Sequence, residues 1–332
     1  MDEARRQCRA ILADVDKGID PAAEAMKQRR SPRSQIFEIV VQDYIEKHAK
    51  RHKKSWKETE RTFERCFLPQ WRKFSIKSID KQLVRDALDE ILQKGRPSAA
   101  NQAFACLRAF FSWAVEHDRC SASPCLTLKM PAKEQSRSRF LKNHEIRAVW
   151  IASERFLEPF GTIVRLLLLT GQRRNEVAGM RRNEIDFEDA TWTIPAWRTK
   201  SAREQLVPLT PRTLDLLRAI PDTGELVFPA RGAEGRSVSG FSKWKSQLDE
   251  ASGVSDWVLH DIRRTVATGL ARLGTPLHVI RKIQNHADAI PGVGKVYNQH
   301  DYLDEAREAL FKWEQELAWI CVEKYESQRN AA

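Results

Sequence analysis

The sequence predicts a mainly α-helical protein with one small antiparallel β-sheet, divided into two domains. Three observations carry this. Apolar residues recur at helical spacing through most of the chain. The one clear alternating stretch, "ATWTIPAWRTKSAREQLVPLT" from Ala190, lies between helical patterns. The 332 residues, 42% of them hydrophobic, are enough for two cores of ordinary size.

Residues 1–30 read as a charged helix, a break at Gly18 and Pro21, and a second helical stretch; "RRSPRSQ" is a polar linker. Residues 35–130 read as a four-helix bundle. "IFEIVVQDYIEKH" places Ile36, Ile39, Val40 and Tyr44 on one face. "SWKE" fits a capping box, with Ser55 as N-cap and Glu58 three residues on. "IDKQLVRDALDEILQKG" repeats apolar residues at 83, 84, 87, 88, 91 and 92 and stops at Gly95. "SAANQAFACLRAFFSWAVEHD" turns Phe104, Leu107, Phe111 and Ala114 inward. A polar linker, 131–139, leads to a second domain, 140–325, and a short tail, 326–332. There Trp192 and Ile194 alternate with polar residues, the chain turns, and the pattern resumes at Leu206 and Val207: a β-hairpin among helices.

Composition narrows the classes. The longest apolar run, "IVRLLLL" from Ile163, is too short to span a bilayer, and the charged N-terminus lacks a signal-peptide centre, so the chain reads as intracellular. Six scattered cysteines (Cys8, Cys66, Cys106, Cys120, Cys125, Cys321) lack zinc-like spacing and read as reduced thiols. The net charge of +11 favours a polyanionic partner. "KHAKRHKK" concentrates Lys47, Lys50, Arg51, Lys53 and Lys54. A solvated helix end and a phosphate-contacting patch both account for it.

Four stretches of the second domain hold groups for phosphate binding and proton transfer. "LLLLTGQRRNEV" carries Arg173 and Glu176, and "WRTKSAREQ" puts Lys200 near the hairpin tip. "LHDIRRTVATGLARLG" puts His260 and Arg263 three apart on one helix face. "IRKIQNHADAIPGVGKVYNQHDY" carries His286 at a helix end, then Tyr297 and Tyr302. Each has an ordinary structural explanation when taken singly. Together, two arginines, a lysine, two histidines and a tyrosine form an inventory for attacking a phosphodiester without a metal. Arginine's fork holds two non-bridging oxygens of a transition state in which negative charge spreads. Lysine protonates a departing alkoxide, histidine relays protons near neutrality, and tyrosine needs such help to act as a nucleophile. No GxxxxGK[ST] motif signals a nucleoside triphosphate, and no acidic trio stands out for two metals.

The order Arg–Lys–His-x-x-Arg–His–Tyr resembles that of the tyrosine recombinases, the phage-type integrases, in the branch carried by satellite phages and genomic islands. The resemblance implies a helical core-binding domain (35–130) and a catalytic domain of the DNA breaking-rejoining fold (140–325). Residues 1–34 resemble the end of an N-terminal arm-binding domain. It implies catalytic roles for Arg173, Lys200, His260, Arg263, His286 and the nucleophile Tyr297, with Glu176 as support and Tyr302 as an anchor for the last helix. It further implies site-specific recombination of double-stranded attachment-site DNA, integrating or excising a mobile element through a 3′-phosphotyrosyl link. The two domains would clamp the duplex, and a homo-tetramer would form on DNA, with possible accessory DNA-bending or excision proteins. Neither metal nor ATP is required, and the setting is the bacterial cytoplasm, at the nucleoid. Gln284 departs from the pattern, which has an apolar residue there; looser packing beside His286 is expected. The apolar residues Leu310, Trp313, Leu317, Trp319 and Ile320 of the last helix suggest docking on a neighbouring subunit, with packing within the same chain as the alternative. The alternatives are a type IB topoisomerase-like enzyme using the same residues as a monomer, and a DNA-binding regulator without catalysis.

Overall fold

The computed structural model describes residues 35–133, 137–156, 158–233, 235–286 and 300–321. Residues 1–34, expected from the sequence to be the end of an arm-binding domain, lie outside them, Cys8 included, as do Tyr297 and the tail 326–332. The chain divides into two compact units, Met1–Ser136 and Arg137–Ala332.

The first unit is all-helical among the described residues: α1 (Phe37–Tyr44), α2 (Trp56–Cys66), α3 (Leu68–Trp71), α4 (Lys81–Gln93) and α5 (Pro97–Glu116). α1 runs on through a π-helical turn, Ile45–Ala49, and a last turn, Lys50–His52. α5 is the centre, packing against α1, α2 and α4. Phe104, Leu107, Phe111 and Ala114 are fully buried as expected, and Phe110 joins them. The core is aromatic: Phe110 meets Phe37, Phe63 and Tyr44 at ring-centroid distances of 5.3–5.5 Å in edge-on geometry, the arrangement that ring quadrupoles favour.

Two local expectations are corrected. The buried stripe of α1 is Phe37, Val40, Val41 and Tyr44, with Ile36 and Ile39 only half-buried. The larger Phe37 side chain takes the core and rotates the helix by part of a turn. Ser55 does precede α2, but its side chain makes no capping bond, because its backbone (φ −95°, ψ 24°) leaves the extended region a capping residue needs. Its carbonyl instead accepts the Glu58 N–H at 3.0 Å. α4 follows the expected pattern and is capped by Asp80, whose Oδ1 accepts the Leu83 N–H at 2.9 Å. It is followed by Gly95 at φ +69°, a left-handed position that glycine tolerates.

The second unit contains α6 (Asn143–Glu154), α7 (Phe160–Thr170), α8 (Arg174–Ala178), β1 (Ile185–Asp186), β2 (Thr191–Ile194), β3 (Gln205–Pro208), α9 (Pro211–Arg218), α10 (Phe241–Ser252), α11 (Leu259–Arg272), α12 (Leu277–Ile283) and α13 (Leu303–Cys321). The apolar run from Ile163 is explained by α7, which is surrounded by α6, α8, α9, α11 and α13. Ile163, Val164, Leu166, Leu167, Leu168 and Leu169 are all buried. The predicted hairpin is β2–β3, antiparallel, with Trp192 opposite Val207 and Ile194 opposite Gln205. β1 adds a third strand along β2, pairing Ile185 with Trp192; at two residues it is too short to show a period.

α13 corrects the expectation for the last helix. Leu310, Trp313, Leu317 and Ile320 are buried in their own chain against α6, α11 and α12. Trp313 Nε1 donates to the Leu168 carbonyl at 2.7 Å, and its ring lies against Gly269 so closely that a Cβ there would sit 2.2 Å from it. Helical spacing leaves only Trp319 of the expected set outward, 48% exposed, together with Phe311.

Candidate active site

The site forms where three chain reversals of the second unit meet. The first ends α7. Gly171 adopts φ +63°, which stops the helix and turns the chain. Any side chain at 171 would also meet Val266 Cγ1 at 2.9 Å. Arg173 then stands at the start of α8, and Glu176, 3% exposed, folds back on it. Glu176 Oε2 accepts the Arg173 backbone N–H at 3.0 Å, and Oε1 accepts its Nη1 at 2.8 Å. The carboxylate thus fixes both the main chain and the guanidinium.

The second reversal opens α11. Asp261, fully buried, accepts the Val258 N–H at 2.9 Å and pairs with Arg264, pinning the turn that carries His260 and Arg263. Arg263 is 3% exposed. Its Nη1 donates to the Gly171 carbonyl at 2.8 Å and its Nη2 to the Gln284 carbonyl. Burial and the neighbouring Arg173 charge push its pKa down to about 9, with Glu176 opposing; it remains cationic at neutral pH.

The third reversal ends α12. The His286 N–H bonds to the Arg281 carbonyl and the Asn285 N–H to the Lys282 carbonyl, both at 3.0 Å. This is a Schellman turn in which Asn285, at φ +46°, occupies the left-handed position usually held by glycine. His286 therefore leaves the helix in a defined direction. Together with His260, Arg263, Arg264 and Gln284 it lines an open pocket of about 370 Å³.

Cations outweigh anions in the electrostatics of this pocket, although Asp261 acts against them at His260. Desolvation lowers the His260 pKa, and Arg264, Arg263 and Arg173 lower it further. Desolvation likewise lowers His286, reinforced by Arg263, Arg173 and Arg281. Both imidazoles are thus biased toward the neutral form, in which each can donate one hydrogen bond and accept another. The fixed cations favour any anion that enters.

Of the sequence-derived residues, Arg173, Glu176, His260, Arg263 and His286 share this neighbourhood. Lys200 does not line the pocket; it is exposed in the β2–β3 connection. That connection is fastened at both ends. Thr199 Oγ1 donates to the Arg203 carbonyl at 2.7 Å. Arg198 pairs with buried Glu184 at 2.7 Å and donates to the Glu176 carbonyl at 3.2 Å, tying the hairpin to α8. Tyr302 immediately precedes α13, and its carbonyl accepts the Ala306 N–H at 3.0 Å.

Several contributors escaped the sequence reading: Asp261, the Arg198–Glu184 pair, Gln172 and Gln205. Gln205 left a usable signal. It shares an inward strand face with Val207, and a polar residue there requires a buried partner. Gln284 corrects an expectation. It does not loosen the packing beside His286: it is 3% exposed, and its Nε2 donates to the Arg263 carbonyl at 2.7 Å.

The basic segment lies elsewhere, on the first unit. Lys47 pairs with Asp43 at 2.8 Å, Lys50 pairs with Glu46 and sits over the Trp56 ring, and Lys53 donates to the Tyr44 hydroxyl at 2.8 Å. Arg51 is exposed. Exposed ion pairs of this kind are worth only about 0–1 kcal/mol, so a phosphate competes with them easily.

Residues 139–303 match the model of the phage integrase family, and residues 37–130 that of the phage integrase central domain. Prophage integrase IntZ of Escherichia coli (strain K12) is 29% identical over 318 residues, covering 92% of this chain and 77% of that protein. Tyrosine recombinase XerC of Bacillus pumilus (strain SAFR-032) is 21% identical over 232 residues, 64% of this chain and 75% of that one. Among solved structures, a lambda integrase tetramer bound to a Holliday junction aligns over 86% of this chain and 87% of its own, with TM-score 0.63 at 16% identity. The Tn1549 transposon integrase in complex with circular intermediate DNA aligns over 80% and 97%, with TM-score 0.56 at 16% identity. At that identity the two structures share the fold.

Proposed function

The chain belongs to the phage integrase family and is a tyrosine site-specific recombinase, and from that premise we propose how its residues divide the reaction. Tyr297 is the nucleophile. Its phenolic oxygen attacks the scissile phosphorus while the P–O5′ bond breaks, leaving a 3′-phosphotyrosyl link and a free 5′-hydroxyl. His260 accepts the tyrosine proton, and Lys200 gives one to the departing 5′-oxygen. Arg173 and Arg263 hold the non-bridging oxygens, where negative charge builds. His286 donates a further hydrogen bond, and Glu176 keeps Arg173 in place. A 5′-hydroxyl from the partner duplex then attacks the phosphotyrosine, restoring the diester and the tyrosine. Each step exchanges one phosphodiester-type bond for another, so no external energy source is required.

The observation that supports this assignment is that His260, Arg263 and His286 line one pocket, with Arg173 close enough to act on the charge of all three. A DNA-binding regulator has no need to bury Arg263 beside two histidines in one pocket. We further propose that Lys47, Lys50, Arg51, Lys53 and Lys54 contact the DNA backbone, and that exchange between two duplexes takes place in a tetramer on DNA. Accessory DNA-bending or excision proteins would serve direction. Most of α13's apolar face is used within its own chain, and Phe311 and Trp319 are exposed hydrophobic residues of that helix. The topoisomerase-like reading shares the same chemistry but makes no use of a second duplex.

The test is a nicked duplex carrying the attachment core recovered from the DNA flanking the gene. Wild type gives a covalent adduct stable in denaturing detergent, Tyr297→Phe gives none, and Tyr302→Phe retains it. An adduct lost only on changing Tyr302 reassigns the nucleophile. Absence of any wild-type adduct on its own core overturns the assignment.

A further inference from the structure

We propose that Gln284 is a positioning residue for strand cleavage, locking Arg263 and the His286 turn into one unit. The inference rests on the catalytic assignment above and deepens it. Gln284 and Arg263 are bonded twice, reciprocally: the Gln284 side chain donates to the Arg263 carbonyl at 2.7 Å, and the Arg263 guanidinium donates to the Gln284 carbonyl. The side chain of each residue holds the main chain of the other. Arg263 Nη1 is also bound to the Gly171 carbonyl. Two of its five N–H donors are thus spent on fixed carbonyls, and the remainder face a direction set by the protein.

Two more glutamines hold the same turn from the other side. Gln172 Nε2 and Gln205 Nε2 both donate to the Ile283 carbonyl, at 2.8 and 2.7 Å. Gln205 Nε2 also reaches Gln172 Oε1 at 3.0 Å. All three glutamines are buried, at 1%, 4% and 3% exposure for Gln172, Gln205 and Gln284. Gln172 lies next to Arg173, Gln205 opens the strand after the Lys200 connection, and Gln284 stands two residues before His286. The network thus links every segment that bears a catalytic group among the described residues. An amide hydrogen-bonded to a fixed carbonyl sets a neighbour's angle in a way that an aliphatic side chain of similar volume does not, because dispersion contacts are non-directional.

The role shows in how a variant treats the charge on the phosphate. Gln284→Met keeps volume and burial but removes the donor. At saturating concentration of the nicked attachment-core duplex, its single-turnover cleavage is expected to fall about 10- to 100-fold, the scale of a small misplacement in an active site. DNA affinity and thermal midpoint stay near wild type. On the same duplex with a methylphosphonate at the scissile position, there is less charge for Arg263 to neutralise. The Gln284→Met deficit relative to wild type therefore shrinks, as does that of Arg263→Ala. Gln205→Met is the second arm, with a smaller deficit obeying the same rule, and it stands in if Gln284→Met does not fold. Wild-type cleavage by a folded Gln284→Met protein overturns the proposal. So does a deficit equal on both substrates, in whichever variant folds, when that of Arg263→Ala is relieved. Failure of wild type itself to cleave the phosphate duplex overturns the catalytic assignment instead.

Discussion

At the scale of single residues, the site is organised by carbonyls and by the Glu176 and Asp261 carboxylates, which take up cationic donors before any substrate arrives. Glu176 is bonded to both the main chain and the side chain of Arg173. A bond to a charged acceptor exceeds a neutral one by about 1 kcal/mol. Glu176→Gln should therefore slow cleavage roughly fivefold to tenfold, read as single-turnover rate at saturating DNA, with DNA affinity little changed. Arg263→Lys is harsher. An ammonium cannot span the Gly171 and Gln284 carbonyls and still present a fork to phosphate. Loss of a donor aimed at developing charge costs about 10²–10³ in rate, and a covalent-adduct time course measures it.

At the scale of elements, two glycines set how helices meet. Gly269 lets Trp313 of α13 lie directly on α11, and a Cβ there would overlap the indole. Gly269→Ala should destabilise the protein by about 1–3 kcal/mol, the usual cost of overpacking, visible as a lower midpoint in urea unfolding. Gly171 ends α7 in a left-handed conformation and supplies the carbonyl that Arg263 grips. Gly171→Ala would pay the cost of that conformation and of the Val266 contact, and would shift Arg263 as well. Its cleavage should fall by more than its stability alone accounts for, which comparison of the two measurements on one preparation decides.

At the scale of the whole molecule, charge governs behaviour in solution. The net charge of +11 supports attraction to DNA at any sequence. Neutralising all five cations of "KHAKRHKK" should weaken binding to unrelated duplexes. It should also flatten the plot of log affinity against log salt by about 0.9 for each cation that contacts a phosphate. The histidines set the pH response. His48, His260 and His286 are all lowered from 6.5, first by desolvation and then chiefly by nearby cationic groups. Below about 6.5 the unfolded chain binds protons that the folded chain resists. Their contribution to stability is therefore complete above that pH and is lost as the pH falls through the folded values. Thermal midpoints measured from pH 7.5 to 5.5 should decline on the acid side, and a His260→Gln, His286→Gln protein should decline less.

The sequence by itself determined the helical bundle, the hairpin and the set of groups proposed for the reaction. Local periodicity and residue chemistry act over a few positions, and those positions are adjacent in the chain. Arg263 three residues after His260 shares its face once that segment is helical, and Gly171 after an apolar run is a common helix stop. Only the tertiary structure decided how the segments lock together. The Gln284–Arg263 pair spans 21 residues and the Gln205–Ile283 bond 78, and nothing in either stretch announces its partner. The same holds for α13. Its apolar stripe showed that something covers it, but the choice between its own chain and another lay with Gly269, 44 positions before Trp313 and matched to it in shape. Hydrophobic burial is non-directional and so leaves the partner open. Hydrogen bonds and close packing are directional and specific, and they exist only once distant segments have met.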